Sequence, residues 1–385
     1  MKKILAFLLF VTALFTTNLY AVEIEGININ VFGNMFIQGG KAKLGSGTIN
    51  SNDGLYAGGV EISKGFFNGS EVGLTIQGGN GSPQIGENSA TLDTSGNVIM
   101  SDIWYSQPLI EDVLRVKVGR VSLIESTGGD NEVTGNSDTQ FIVPLFSDTQ
   151  SGWVPYVEDN GNPWGFGIVY NPSEAIEIRY GYVGPIGNKG DSLVTENIYN
   201  EIQDSTITVY SSIQTGKSYH IDADGYNGIE INFKLIEDGN YRIKYWQLNE
   251  VLIENQPSPT GFALSFDQKL TPILTAGLRY GQVLNKKAIP DNSESGRFIV
   301  SNYSLALQVN GQAWDRVDDC LAAAVGREIY NDPERDSWGS FYEIYYRYTL
   351  NDYIAISPSF QYQTYTNVET ISGQTVYALR LHIEF

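Results

Sequence analysis

Along most of this chain apolar and polar residues alternate one for one. The clearest stretch is the last, V-Y-A-L-R-L-H-I-E-F from Val376 to Phe385. Tyr377, Leu379, Leu381, Ile383 and Phe385 share one face of a strand. Val376, Ala378, Arg380, His382 and Glu384 share the other, because strand side chains alternate. The same split recurs upstream. Ile176, Ile178, Tyr180 and Tyr182 oppose Glu177 and Arg179; Ile229, Ile231, Phe233 and Leu235 oppose Glu230, Asn232 and Lys234. Tyr241, Ile243 and Tyr245 oppose Arg242, Lys244 and Trp246. Ala276, Leu278 and Tyr280 oppose Arg279, and Tyr342, Ile344, Tyr346 and Tyr348 oppose Glu343, Tyr345 and Arg347. If the apolar side meets lipid, a one-residue slip would cost about 2–4 kcal/mol for each Arg or Lys turned into it. An apolar face that runs to an aromatic final residue fits a strand with oil on one side and a water-filled lumen on the other. The competing reading is an edge strand of a soluble β-protein.

Sixteen alternating stretches can be drawn on the sequence. They lie near 27–38, 53–63, 71–79, 98–107, 112–121, 163–171, 175–183 and 226–235. The others lie near 240–249, 260–270, 273–282, 299–308, 319–330, 339–350, 352–363 and 374–385. Short, turn-rich joints such as N-P-S-E and E-D-G-N alternate with long ones at 39–52, 80–97, 122–162, 184–225, 283–298 and 364–373. The prediction is an all-β, transmembrane antiparallel β-barrel of about 16 strands, one domain over 22–385, with both termini on the tight-turn side. Two places fit less cleanly. Pro358 falls inside a strand, where a bulge is expected. Arg327 shares its face with Val325, which implies a register shift or a place at the membrane interface.

The N-terminus predicts export. Lys2 and Lys3 precede an apolar run from Ile4 to Phe15, and Leu19-Tyr20-Ala21 offers a cleavage point, so 1–21 reads as a signal peptide. The run is shorter than the roughly 20 residues of a spanning helix. Mean hydropathy is −0.18, which alone would class the chain as soluble, but barrels escape such scans because only alternate residues touch lipid. The 24 Tyr, 17 Phe and 6 Trp could supply interfacial girdles. A formal net charge of −20 makes nucleic acid a poor partner. The lone cysteine, Cys320, cannot pair within the chain and reads as a small wall residue.

The polar faces hold the candidate chemistry. Arg115, Lys117, Arg179, Lys234, Arg242, Lys244, Arg279, Arg347 and Arg380 are expected in the lumen, against Asp102, Glu177, Glu230, Glu343 and Glu384. The wall is therefore expected to be net basic, with most acids in the loops. Basic rings favour anions, or hold hydroxyl-rich solutes by charge-assisted hydrogen bonds; alternatively, mixed charges simply wet the lumen. Trp104 and Trp246 share the polar faces. An aromatic plane beside Arg or Lys suits a sugar, whereas an interfacial girdle would place the same rings at the headgroups. The long connection 122–162 carries Phe141, Ile142, Val143, Leu145, Phe146 and Trp153. It is expected to fold into the barrel and narrow it, its acids facing the wall's bases.

Catalytic chemistry is not predicted. His220 and His382 are the only histidines, no triad has support, and no Cys or His spacing points to a metal or a cofactor. The D-A-D-G-Y-N run from Asp222 could at most offer oxygens to calcium. A resemblance sharpens the picture. Gly119-Arg120, Asp138-Thr139-Gln140-Phe141, Glu343 with Tyr345-Tyr346, I-S-P-S-F-Q-Y from Ile356 to Tyr362, and Tyr377-Ala378-Leu379-Arg380 resemble the carbohydrate-selective porin family. The chain departs from it at Thr364-Tyr365, where Asn-Pro often follows Gln-Tyr. The resemblance implies a monomeric sixteen-stranded barrel of the Gram-negative outer membrane that passes small solutes, sugars or anions. It makes Arg120 and the wall bases constriction candidates, with Tyr345 beside them, and the C-terminal strand a signal for the barrel assembly machinery. A structural or adhesive barrel is the other reading.

Overall fold

A computed structural model describes residues 26–44, 47–80, 98–121, 131–147, 164–184, 225–249, 255–289, 299–332, 335–367 and 371–385. The expected signal peptide, His220, Trp153 and the three residues 222–224 that open the Asp222 run lie outside the described residues. Sixteen strands form one closed antiparallel barrel in which each pairs with its chain neighbours and the first pairs with the last. They are β1 (Ile27–Leu44), β2 (Gly47–Gly65), β3 (Glu71–Asn80), β4 (Val98–Ile110), β5 (Leu114–Arg120), β6 (Trp164–Ser173), β7 (Ile176–Val183) and β8 (Tyr226–Phe233). Then follow β9 (Gly239–Leu248), β10 (Thr260–Thr271), β11 (Leu274–Val283), β12 (Ile299–Asn310), β13 (Cys320–Tyr330), β14 (Trp338–Asn351), β15 (Ile354–Thr366) and β16 (Ile371–Glu384).

Closure leaves no free edge, which a spanning sheet requires because lipid cannot satisfy backbone groups. At the seam Val31 and Phe385 exchange backbone hydrogen bonds of 3.0 and 2.8 Å, and the Phe385 ring stacks on Tyr353 at 5.3 Å. The start of β1 and the end of β16 thus meet on the tight-turn side. Alternation holds as expected. Ile229, Ile243, Tyr245, Leu278, Tyr342, Ile344, Tyr377 and Leu379 are exposed on the outside, while Glu230, Lys244, Arg279, Glu343 and Arg380 are buried within.

Several expectations are corrected. The connection 39–52 is mostly ladder: β1 and β2 are 18 and 19 residues long and stay paired from Ile27↔Lys64 to Leu44↔Gly47. A tilted strand crosses a bilayer in about 9–11 residues, so this hairpin rises well past it. The connection 364–373 likewise shrinks, since β15 runs to Thr366 and β16 starts at Ile371. Pro358 makes no bulge. It pairs with Leu379 in an unbroken register, and on the other side the ladder to β14 only skips between Tyr345↔Ser359 and Tyr348↔Ile356. Dropping those pairs removes the need for a proline N–H without shifting faces. Arg327 keeps its register opposite Ser340 and lies outside near the loop end, its guanidinium 5.4 Å from the Trp338 ring, in keeping with the interface reading.

The inner wall is not net basic. Asp53, Glu61, Asp267 and Glu328 have inward register positions too and offset the inward bases. On the turn side, Asp319 ties the β12–β13 connection to β14. It accepts from Arg316 Nε at 2.6 Å, Thr349 N at 2.9 Å and the Tyr346 hydroxyl. Burial alone would raise this carboxyl, but these three donors outweigh it and hold it down at about 2.

Candidate functional site: the strapped lumen

Residues 131–147 of the β5–β6 connection lie inside the barrel as a strap, with Val133, Phe141, Ile142, Val143, Leu145 and Phe146 fully or almost fully buried. The wall is shaped to receive them. The first four inward positions of β13 are Cys320, Ala322, Ala324 and Gly326, small residues that leave a shallow bed. At Gly326 the approach is so close that a Cβ would lie 2.7 Å from Leu145 Cδ2. Phe141 meets Phe146 and Tyr345 edge-on, with centroids 5.7 and 5.0 Å away. Ile142 joins Phe36, Leu55 and Ala378 across the seam.

Three buried wall charges clip the strap's backbone. Glu343 on β14 accepts from Ile142 N at 3.1 Å and Val143 N at 2.9 Å. Arg380 on β16 donates to Ser137 O and Gln140 O, both at 2.8 Å. Arg279 on β11 donates to Thr134 O at 2.8 Å and to Ser147 O. Asn131 adds bonds to Ser265 Oγ and Phe266 O on β10, and Asp138 accepts from Asn34 on β1 at 2.7 Å. Burial raises the Asp138 carboxyl, against the pull of the nearby His382 and Arg380. In-folding therefore holds, and the expected facing of loop acids and wall bases holds at Asp138, which lies near Arg380 and His382. The wall arginines spend their N–H groups on strap carbonyls, which are acceptors fixed in place by the strap's own turns.

The expected lumen residues accordingly divide. Arg279, Tyr345 and Cys320 lie beneath the strap; Cys320 Sγ is 3.7 Å from the Tyr345 hydroxyl. Arg242 is paired with Asp267, and Lys244 lies opposite Glu230 with its ammonium 5.8 Å from the Tyr226 ring; both are buried. Trp246 faces inward as expected but is 0% exposed, packed among Val183, Tyr226, Leu248, Ala263 and Val283, so no solute touches it. Arg120 is not a lining residue. Its register partners are Ile103 and Trp164, both exposed on the outside, which sets it with Val116 and Val118 on the outward face. Apart from the half-buried Arg347 on β14, the expected strand bases that remain accessible lie on β4–β7. Arg115 is exposed and donates to Ser106 Oγ at 3.0 Å; Lys117 sits 4.2 Å above the half-buried Trp104 ring; Arg179 pairs with Glu177 at 2.7 Å. Asp102 and Arg347 are half-buried. Glu343 was visible in the sequence as an inward acid, but its role as a backbone clip was not, because nothing local couples it to residues two hundred positions earlier.

A closed sixteen-stranded barrel with oil-facing aromatics, a charged interior and an in-folded loop defines an outer-membrane porin. The chain belongs to the carbohydrate-selective porin OprB family, whose model matches residues 71–385. Its place is the Gram-negative outer membrane, and the family and fold are those of channel proteins. The high-pH structure of OprB from Pseudomonas putida superposes with a TM-score of 0.70 at 13% identity, covering 97% of this chain and 96% of that one. A mutant porin of Rh. blastica aligns at 0.54 and 13% identity, covering 93% and 100%. Among curated proteins no sequence matches.

Proposed function

We propose that this barrel is a passive diffusion channel for small carbohydrates, narrowed by the 131–147 strap and lined on its open side by β4–β7. The observation that carries the reading is Trp104 with Lys117 above its ring and Asp102 and Arg115 on the same wall. A sugar presents an apolar ring face and hydroxyl edges; an aromatic plane flanked by fixed charges matches both. The bound solute needs only weak retention, since a channel must also release it. Residues 1–21 are removed on export, and the strand ending in Phe385 is the signal to the barrel assembly machinery.

An anion-preferring pore is the second reading, supported by the exposed Arg115 and the half-exposed Lys117 and Arg179. Single-channel recording in planar bilayers separates the two. Graded block of the current by neutral mono- or disaccharides supports the sugar channel. Block by phosphate or organic anions alone moves the assignment to an anion pore, and absence of an open current points to an adhesive barrel.

A further inference from the structure

The outside of the barrel carries a charge pattern of opposite sign to the chain. Every Asp and Glu within the described strands has an inward register position, from Asp53 on β2 to Glu384 on β16. The charged residues at outward positions are Lys41, Lys43, Lys64, Arg120 and Arg327, all basic, in a protein of net charge −20. Four of these five lie toward the loop end, where the strands leave the outer leaflet. A uniform sign there, against the chain's own bias, implies an anionic partner fixed at that depth.

One part of this rim is also shaped. On β1 the outward residues from Ile29 to Ile37 are apolar apart from Gly33, about the length a tilted strand needs to cross hydrocarbon. Above them come Gly39, Lys41 and Lys43. Gly39 pairs with Tyr377 on one side and Asn52 on the other. Without a side chain at Gly39 a groove opens between β16, β1 and β2, walled below by Ile37, Tyr377 and Leu379 and above by Lys41, Asn50 and Thr375. Ile37 and Tyr377 are 54% and 62% exposed, among the most exposed apolar side chains of the strand wall. A Cβ at position 39 would lie 2.4 Å from Asn52 Oδ1, so only glycine keeps this shape with Asn52 in place.

We propose that this groove is a docking site for a phosphate-bearing lipid of the outer leaflet. The acyl chain lies along Ile37, Tyr377 and Leu379. The phosphate is met by Lys41 and Lys43, whose stems rise to the headgroup level. Asn50, Asn52 and Thr375 supply hydrogen bonds to headgroup hydroxyls. The apolar lower wall requires a lipid rather than a free ion, and the two lysines require that the lipid be anionic.

Native mass spectrometry of the whole barrel, titrated with a phosphorylated glycolipid and with neutral phosphatidylcholine, tests this. The wild type is expected to retain the phosphorylated lipid and not the neutral one. Lys41→Ala with Lys43→Ala should weaken retention roughly thirtyfold, at about a kilocalorie per lysine. Gly39→Leu should abolish it by filling the groove. Lys64→Ala, at the opposite rim, should leave it unchanged, and single-channel conductance should be the same in all three because these side chains face outward. Equal retention by the Lys41/Lys43 variant, equal retention of the neutral lipid, displacement by millimolar inorganic phosphate, or a dimer replacing the lipid adduct would each overturn the proposal.

Discussion

The two sides of the lumen use the same alternation to opposite ends. On β11, β14 and β16 three inward charges, Arg279, Glu343 and Arg380, are buried and bonded to the backbone of the strap. On β4–β7, inward charges stay exposed or half-exposed and bond to one another or to serine hydroxyls, or lie over an aromatic ring. Both sides read alike in sequence, as polar residues at every second position. Much of the difference comes from the strap: where it lies, Arg279, Glu343 and Arg380 become clips, while on β4–β7 wall charges remain available to solute; Arg242 and Lys244 on β9 are buried opposite wall acids instead. A buried charge left without partners costs several kilocalories, and Glu343 and Arg380 each meet two strap groups.

Breaking the strapped side should have the largest effect. Phe141→Ala removes the ring that joins Phe146 and Tyr345, and should cost about 3–5 kcal/mol of strap docking. The expected signs are protease cleavage within 131–147 of the folded barrel and a noisier, larger current. Next comes a change that should leave both sides of the lumen alone. Asp319→Asn weakens three bonds in the turn-side knot and should lower stability by about 1–3 kcal/mol in urea unfolding, with conductance unchanged. Its pH signature has a definite sign. The folded carboxyl sits at about 2, below its unfolded value near 4, so its stabilisation is complete above about pH 4 and is lost as pH falls toward 2. The difference between wild type and Asp319→Asn should therefore shrink across that window.

Changes on the open side should be smaller and should alter only transport. Trp104→Ala is expected to weaken sugar block roughly fivefold, about 1 kcal/mol, without moving the unfolding midpoint by a comparable amount. Arg115→Gln with Arg179→Gln should lower the anion-to-cation permeability ratio by roughly twofold in dilute salt. That shift should fade near 1 M, where the screening length is about 3 Å. An equal shift from Arg279→Gln would erase the distinction between the two sides.

Much of this architecture was legible because the period of two is a local property. Each strand announces its faces without reference to its neighbours, and closure then follows from spanning lipid. The misreadings have particular causes. Lys41, Lys43, Asn50 and Asn52 looked like a loop because above the hydrocarbon both faces of a hairpin are polar and alternation disappears. β13 is the strand expected near 319–330; it fitted less cleanly only because Arg327 shares the outward face with Val325, beside Trp338 at the loop end. Arg120 was carried into the lumen by a motif, whereas its own parity with Val116 and Val118 sets it outside. Trp246 faced the right way, but burial under neighbours from other strands is a tertiary fact that no local pattern contains.

The central claim is that wall charges hold residues 131–147 across the lumen. Single-channel conductance of Glu343→Ala with Arg380→Ala, against wild type in the same bilayer and salt, tests it most directly. The clips account predicts a clearly larger conductance with sugar block reduced, as the strap leaves the wall. A variant that folds, inserts and conducts as the wild type does would contradict it.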